Sequence, residues 1–119
     1  MKDKSIYIAT VLECIDLIEV YTSGFTREIF LADRKTQDAV IRNLEVIGQA
    51  LKDFGIELLT EEMPQIPWSQ VAGMRNILAH EYLGVDMVMI WDTLQLHLND
   101  LQQALETFRN DESMSKTEK

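Results

Sequence analysis

Apolar residues recur at intervals of three and four along almost the whole chain, and this spacing restricts the fold more than any other feature. An α-helix repeats every 3.6 residues, so this spacing gathers apolar side chains on one face, whereas a half-buried strand needs strict alternation. Sustained alternation does not occur, and the 119 residues include only two prolines and five glycines to interrupt long helices. The pattern therefore predicts an all-α protein.

Breaks in the spacing divide the chain into four principal helices and one short helix, which predicts an antiparallel bundle. Gly48 lies inside a predicted helix, where glycine costs about 1 kcal/mol relative to alanine, so a close neighbouring helix is expected beside it. One domain is predicted over residues 1–109, followed by a polar, disordered tail over 110–119. The predicted helices span residues 5–21, 26–32 (the short one), 36–54, 67–82 and 87–108, and residues 56–66 form the longest connection.

Composition narrows the function only slightly. The formal net charge of −9 argues against a passive nucleic-acid binder, which needs a basic surface, but leaves room for an enzyme with a locally basic cleft. The lone cysteine, Cys14, lies among apolar neighbours and is interpreted as a small buried hydrophobe. No apolar run is long enough to cross a bilayer, and Glu13, Asp16 and Glu19 interrupt the N-terminal segment, so a cytoplasmic protein without membrane contact is expected.

The segment over residues 73–82, GMRNILAHEY, carries the side chains best suited to chemistry. On an ideal helix Tyr82 lies close to the edge occupied by Arg75, while Asn76 and His80 are stacked one turn apart, with His80 about 140° from Arg75. The face around His80 contains small and apolar residues, which favours the approach of a second helix or a second subunit. Two-fold symmetry there would bring two arginines and two histidines into one cleft.

Such a cleft suits RNA cleavage without a metal ion. A histidine can accept a proton from a 2′-hydroxyl or donate one to the leaving 5′-oxygen, and an arginine can bind the phosphate in a bidentate manner. Asn76 can orient the imidazole, and Tyr82 can donate to a phosphate oxygen or stack on a base. Taken singly, each residue also has an ordinary structural role, in hydrogen bonding, a salt bridge or packing, and spacing alone does not decide between the two.

The string from Arg75 to Tyr82, RNILAHEY, resembles the R-x-x-x-x-H-x-Y signature of HepT-like toxins in the HEPN superfamily. A second block over residues 38–50, DAVIRNLEVIGQA, is similar to the other recognisable block of that family. Trp68, the Gly73-Met74 pair and the helix around Trp91 follow in the usual order. The resemblance covers essentially residues 5–108, and Gln49 departs from it, since a glutamate is expected there.

The resemblance implies a HEPN-type helical bundle that forms a homodimer, with the arginine and histidine of both subunits in a composite ribonuclease site. Carried over, Arg75 and His80 are catalytic, Asn76 is a supporting polar residue and Tyr82 lines the site. It also implies a type VII-like toxin–antitoxin pair, in which an MNT-type nucleotidyltransferase antitoxin transfers AMP to Tyr82. RNA is then the substrate, and no cofactor or metal is expected.

The sequence is also compatible with two other functions. The chain is alternatively a non-catalytic HEPN module that partners and regulates a nucleotidyltransferase, or a dimerisation domain without chemistry. Outside the motif, His97 is interpreted as structural, and Arg42 and Arg109 are candidates either for RNA contact or for surface salt bridges.

Overall fold

The computed structural model describes residues 4–80 and 84–117, except for the side chains of His80 and residues 112–117. The described part is helical and contains no strand, which confirms the predicted all-α class. It contains six helices, one more than the sequence predicts. They are α1 (Ser5–Tyr21), α2 (Arg27–Leu31), α3 (Arg34–Phe54), α4 (Ile56–Glu62), α5 (Trp68–His80) and α6 (Met87–Thr117).

The extra helix is α4, so the prediction of a single irregular connection over 56–66 was wrong for its first seven residues. Gly55 ends α3 with a φ of +126°, a conformation that glycine adopts without strain, and α4 begins at the next residue. Leu59 is fully buried and anchors α4 to the core. Seven residues are too few to display helical periodicity, which is why the sequence pattern did not indicate this element.

Two helix ends also differ from the predictions. Helix α3 begins at Arg34 rather than at Thr36 because Asp33 caps it: the Asp33 carboxylate accepts hydrogen bonds from the Thr36 backbone N–H and hydroxyl at 3.0 and 2.9 Å. Helix α6 continues to Thr117 instead of ending near Phe108, so the backbone of 110–117 is helical where a disordered tail was predicted. No glycine or proline follows Phe108 to end the helix.

Helices α1 and α3 form the centre of the bundle and run antiparallel. Near the start of α1 the Lys4 ammonium lies over the ring of Phe54, the last residue of α3, at 5.9 Å from the centroid. The Phe54 ring in turn meets the edge of Phe108 on α6, with centroids 5.7 Å apart. Burial of each large apolar side chain in this core contributes roughly 1.5–3 kcal/mol. The α1 members are Ile8, Val11, Leu12, Cys14, Ile15 and Ile18, and the α3 members include Val40, Leu44, Ile47 and Leu51.

Helix α5 is fixed at its first residue. Trp68 is 1% exposed, and its indole N–H donates to the Met63 carbonyl at 2.8 Å, which satisfies the one polar atom of a buried ring. Leu78, near the other end of α5, is 2% exposed. Helix α5 packs chiefly on α3 and also on α4. Within the described residues, no helix has the length and hydropathy needed to cross a membrane.

Candidate functional site

The site is built on the crossing of α3 and α5, where Gly48 faces Arg75. A Cβ atom at position 48 would lie 2.9 Å from the Arg75 Cβ, 3.1 Å from the Ala72 carbonyl oxygen and 3.2 Å from the Arg75 amide nitrogen. Because real Cβ contacts are not this short, only glycine allows the two helix backbones to come so close. The close approach that the glycine predicted is therefore confirmed, and it sets the position of Arg75.

The Arg75 side chain is half-buried, and its guanidinium lies beside Asn76 on α5. Its Nη1 atom donates to the Asn76 Oδ1 atom at 3.2 Å. Position 80 lies one turn beyond position 76 on the same helix face. The guanidinium is thus directed to the side of α5 where position 80 is found, and Asn76 positions it there. His80 is the last residue of α5 that the structure describes, and its side chain lies outside the described part.

The outer face of α5 carries little packing. Ile77 is 55% exposed, Asn76 is exposed, and a Cβ at Gly73 would meet no atom within 4 Å. Gly73 and Ile77 lie one turn apart on this face, so there is room for a second helix to pack beside them. This is the face on which the sequence predicts a second subunit.

A groove of about 690 Å³ runs along α1 and α3 and reaches Arg75. Ser5, Tyr7 and Thr10 form its α1 side, and the α3 side runs from Arg42 to Asp53. Sequence reasoning did not single out Tyr7 or Thr10. The sequence contains one signal for them. They lie three residues apart on α1, next to the buried stripe, and therefore share one edge of the helix.

Neither arginine of the groove forms an ion pair with a side chain that the structure describes. Among the side chains that the structure describes, no carboxylate oxygen lies within 4.0 Å of Arg42 or Arg75. The carboxylate of Asp53 accepts a hydrogen bond from Gln49 Nε2 at 3.0 Å, so Gln49 holds that acid against α3. Gln49 stands at the position where the family resemblance predicts a glutamate, and its side chain has Asp53 as a hydrogen-bond partner. Two arginines that pair with no described carboxylate are unusual in a chain of net charge −9.

Cys14 behaves as the sequence suggests. It is 6% exposed, and burial, reinforced by the negative charge of Glu13, raises the pKa of its thiol above the ordinary value. The charge of Arg42 offsets part of that rise. The thiol therefore stays protonated at neutral pH and is a poor nucleophile.

The remaining candidate residues lie away from the groove or outside the residues that the structure describes. His97 and Arg109 are exposed on α6. Tyr82, the predicted AMP acceptor, lies outside the described residues, so its distance from Arg75 stays a prediction. Within the described ranges, no group of three or more histidine, cysteine, aspartate or glutamate side chains is arranged to hold a metal ion.

Comparisons with known proteins agree on one family. The family model described as "Ribonuclease HepT-like" matches residues 11–108. A Thermococcus cleftensis protein named "Probable ribonuclease HepT" is 41% identical over 103 residues, covering 87% of this chain and 93% of the relative. The "mRNA nuclease HepT" of Shewanella oneidensis is 26% identical over 126 residues, covering 86% of this chain and 92% of the relative.

One relative is much longer than this chain. A Methanocaldococcus jannaschii protein named "Gamma-glutamylcyclotransferase and putative RNase" is 39% identical over 104 residues, which cover 87% of this chain but only 46% of the relative. The similarity therefore concerns about half of that protein. No solved structure matches the chain.

Proposed function

The chain belongs to the ribonuclease HepT-like family, and from that premise we propose that it is the toxin of a type VII-like HepT/MNT toxin–antitoxin pair. In this proposal it is a metal-independent endoribonuclease that acts as a homodimer. The observation that carries the proposal is the placement of Arg75: Gly48 fixes its backbone against α3, and its guanidinium points to the side of α5 on which position 80 lies.

The proposed reaction uses the 2′-hydroxyl of the RNA as the nucleophile. His80 of one subunit accepts the 2′-hydroxyl proton as the oxygen attacks the adjacent phosphorus, and the bond to the 5′-oxygen breaks. The leaving 5′-oxygen takes a proton from the second histidine of the dimer, which gives a 2′,3′-cyclic phosphate and a free 5′-hydroxyl. The second histidine returns to its neutral form, and the first is left protonated.

In the proposed reaction Arg75 stabilises the negative charge on the phosphate, as a metal ion does in other nucleases. Negative charge gathers on the non-bridging phosphate oxygens during the attack, and a guanidinium binds two such oxygens at once. Asn76 already holds the guanidinium through its side-chain oxygen, so Asn76 is a positioning residue that limits the conformations of Arg75 before RNA arrives.

The exposed outer face of α5 supports the proposed two-fold arrangement. Packing of the Gly73 and Ile77 surfaces of two chains would bury apolar area and bring two α5 helices together. Each subunit then contributes its own Arg75 and His80 to one cleft. The proposed antitoxin silences that cleft by transferring AMP to Tyr82, which places a negative phosphate and a bulky nucleotide near Arg75.

The proposal is tested by RNA cleavage with purified, unmodified protein in the presence of a metal chelator. Arg75→Ala is expected to reduce the rate about 10²–10³-fold and His80→Ala about 10²–10⁴-fold. The matched controls are Arg109→Ala and His97→Ala, because both side chains are exposed on α6 and should leave the rate unchanged.

Cleavage that survives both Arg75→Ala and His80→Ala would overturn the catalytic assignment. Cleavage that stops when the chelator is added would overturn metal independence. Unmodified wild-type protein that cleaves no faster than His80→Ala would favour the alternative of a non-catalytic partner of a nucleotidyltransferase.

A further inference from the structure

We infer that the groove between α1 and α3 is a binding site for a nucleotide flanking the scissile bond, with Arg42 contacting its phosphate and Tyr7 its base. The inference rests on the proposed function, because the scissile phosphate is placed at Arg75. It adds a substrate-positioning residue, Arg42, on a helix outside the R-x-x-x-x-H segment.

The dimensions of the groove fit such a ligand. Its volume of about 690 Å³ falls within the roughly 300–1,000 Å³ that small-ligand sites occupy. Arg75 lines it at the crossing with Gly48, and Arg42 lies six residues before Gly48 on α3, which is about 9 Å along the helix axis. A strand bound at Arg75 therefore meets a second cation as it continues along α3.

Two arginines and two carboxylates, Glu45 and Asp53, line the groove, and Arg42 supplies a positive charge at the end nearest the start of α3. Arg42 is exposed, and among the described residues no carboxylate lies within 4.0 Å of its guanidinium. Glu45, one turn further along α3, also lines the groove but leaves that guanidinium unpaired. Arg42 and Arg75 are both positively charged. An RNA strand carries one negative phosphate per nucleotide, so successive phosphates can pair with the two arginines.

The α1 side of the groove supplies a surface for a base. Tyr7 is half-buried, packs against the core and lines the groove together with Thr10. A ring fixed by the core is a stacking platform of low mobility, and stacking accepts any base. The Thr10 hydroxyl donates to the Ile6 carbonyl at 2.8 Å, and its oxygen can still accept a hydrogen bond from a base or a 2′-hydroxyl.

The test measures affinity separately from cleavage. The probe is a short, end-labelled oligouridylate with 2′-O-methyl groups, which cannot be cleaved through the 2′-oxygen. Arg42→Ala is expected to weaken its binding about tenfold or more, and to lower the salt dependence of log K by about 0.7, the value for one phosphate contact on a single strand. Arg42→Lys should recover the salt dependence but only part of the affinity.

Two further variants complete the set. Tyr7→Leu keeps apolar volume at the core but removes the ring, and we expect at least a fivefold loss of probe affinity without a change in salt dependence. Arg109→Ala removes an exposed arginine elsewhere and should leave both quantities unchanged. Circular dichroism establishes that every variant is folded. With cleavable RNA, Arg42→Ala should raise KM and leave kcat nearly unchanged, because Arg42 does not contact the reacting phosphate.

The outcomes separate this inference from the proposed function. Cleavage by the wild type together with unchanged probe affinity in Arg42→Ala would overturn the subsite and leave the nuclease intact. Probe binding that depends on Arg42 in a protein without cleavage would support the subsite while the nuclease proposal fails. If Arg42→Ala alters the monomer–dimer equilibrium instead of probe affinity, the groove is a protein interface and the inference is wrong.

Discussion

Gly48 and Arg75 lie back to back at the crossing of α3 and α5, so closely that a single added methyl group at position 48 would stand 2.9 Å from the Arg75 Cβ. This contact joins a residue of the core helix to one of the two residues that are proposed to be catalytic. A change at Gly48 is therefore a way to move Arg75 without replacing it.

Gly48→Ala is expected to lower both stability and nuclease activity. Alanine gains about 1 kcal/mol of helix propensity over glycine, but overpacking against a Cβ and two backbone atoms costs about 1–3 kcal/mol, so the net effect is destabilising by up to about 2 kcal/mol. Denaturant unfolding measures the free energy of unfolding. Gln49→Ala, the adjacent position of α3, is the control and should stay within about 0.5 kcal/mol of wild type. A more stable and fully active Gly48→Ala protein would contradict the close crossing.

Subunit mixing tests whether the site is shared between two chains. A dimer of one Arg75→Ala chain and one His80→Ala chain retains one intact arginine and one intact histidine, on different subunits. The mixed dimer still lacks the second histidine of the proposed reaction, so we expect it to cleave RNA more slowly than wild type but faster than either variant alone, with cleavage increasing as the subunits exchange. If mixing restores no activity although mixed dimers form, each chain carries its own complete site or all four side chains are required.

Ile77→Asp is expected to weaken the proposed homodimer and, with it, RNA cleavage. A carboxylate in the centre of an apolar interface must be desolvated without a partner, a change that commonly costs several kcal/mol of association free energy. Leu96→Asp on α6 is the matched control, because Leu96 is 67% exposed compared with 55% for Ile77. Light scattering gives the oligomeric state. A dimer that persists in Ile77→Asp but dissociates in Leu96→Asp would move the interface to α6.

AMP transfer to Tyr82 predicts a discrete mass change. The tyrosine hydroxyl attacks the α-phosphorus of ATP and releases pyrophosphate, so each transfer to the same chain adds one AMP unit. Co-expression with an MNT-type nucleotidyltransferase should give these increments in intact-mass spectra, and Tyr82→Phe should abolish them. The chain has two other tyrosines, Tyr7 and Tyr21, and Tyr7→Phe and Tyr21→Phe should be modified as wild type is. Loss of the increment in Tyr21→Phe instead would assign the modification to α1.

The Asp33 cap predicts an acid-dependent contribution to stability. Hydrogen bonds from the Thr36 backbone N–H and hydroxyl lower the pKa of the Asp33 carboxyl below its ordinary value of 3.8. The folded chain therefore binds the proton less readily than the unfolded chain, so the cap stabilises fully above the unfolded pKa, and this contribution is lost as the pH falls through the folded pKa. Thermal unfolding should show a lower midpoint for Asp33→Ala at neutral pH and convergence with wild type in strong acid. A difference that grows below pH 3.8 would contradict the cap.

The sequence predicted the parts of the fold that depend on long helical repeats. The stripes of α1 and α3 and the approach to Gly48 follow from spacing and propensity, and the structure has them. Helix α4 has only seven residues, too few to display a repeat. The groove beside Arg75 depends on how α1 and α3 align along their lengths, and the hydrophobic pattern of one helix carries no information about its register against another. The positions of Tyr7 and Thr10 beside the buried stripe of α1 mark one edge of that helix but do not show that they line a groove.

Two contacts with the interior of the subunit fix helix α5. The buried indole of Trp68 holds its start, and the close contact with Gly48 holds its middle. The conformational entropy of placing Arg75 is thus lost when the chain folds rather than when RNA binds. The arginine is preorganised in each subunit, and the step that remains before catalysis is the meeting of two prebuilt halves. Under the proposed mechanism, activity depends on the protein concentration, which sets the amount of dimer, and on the antitoxin. RNA binding does not have to order the site.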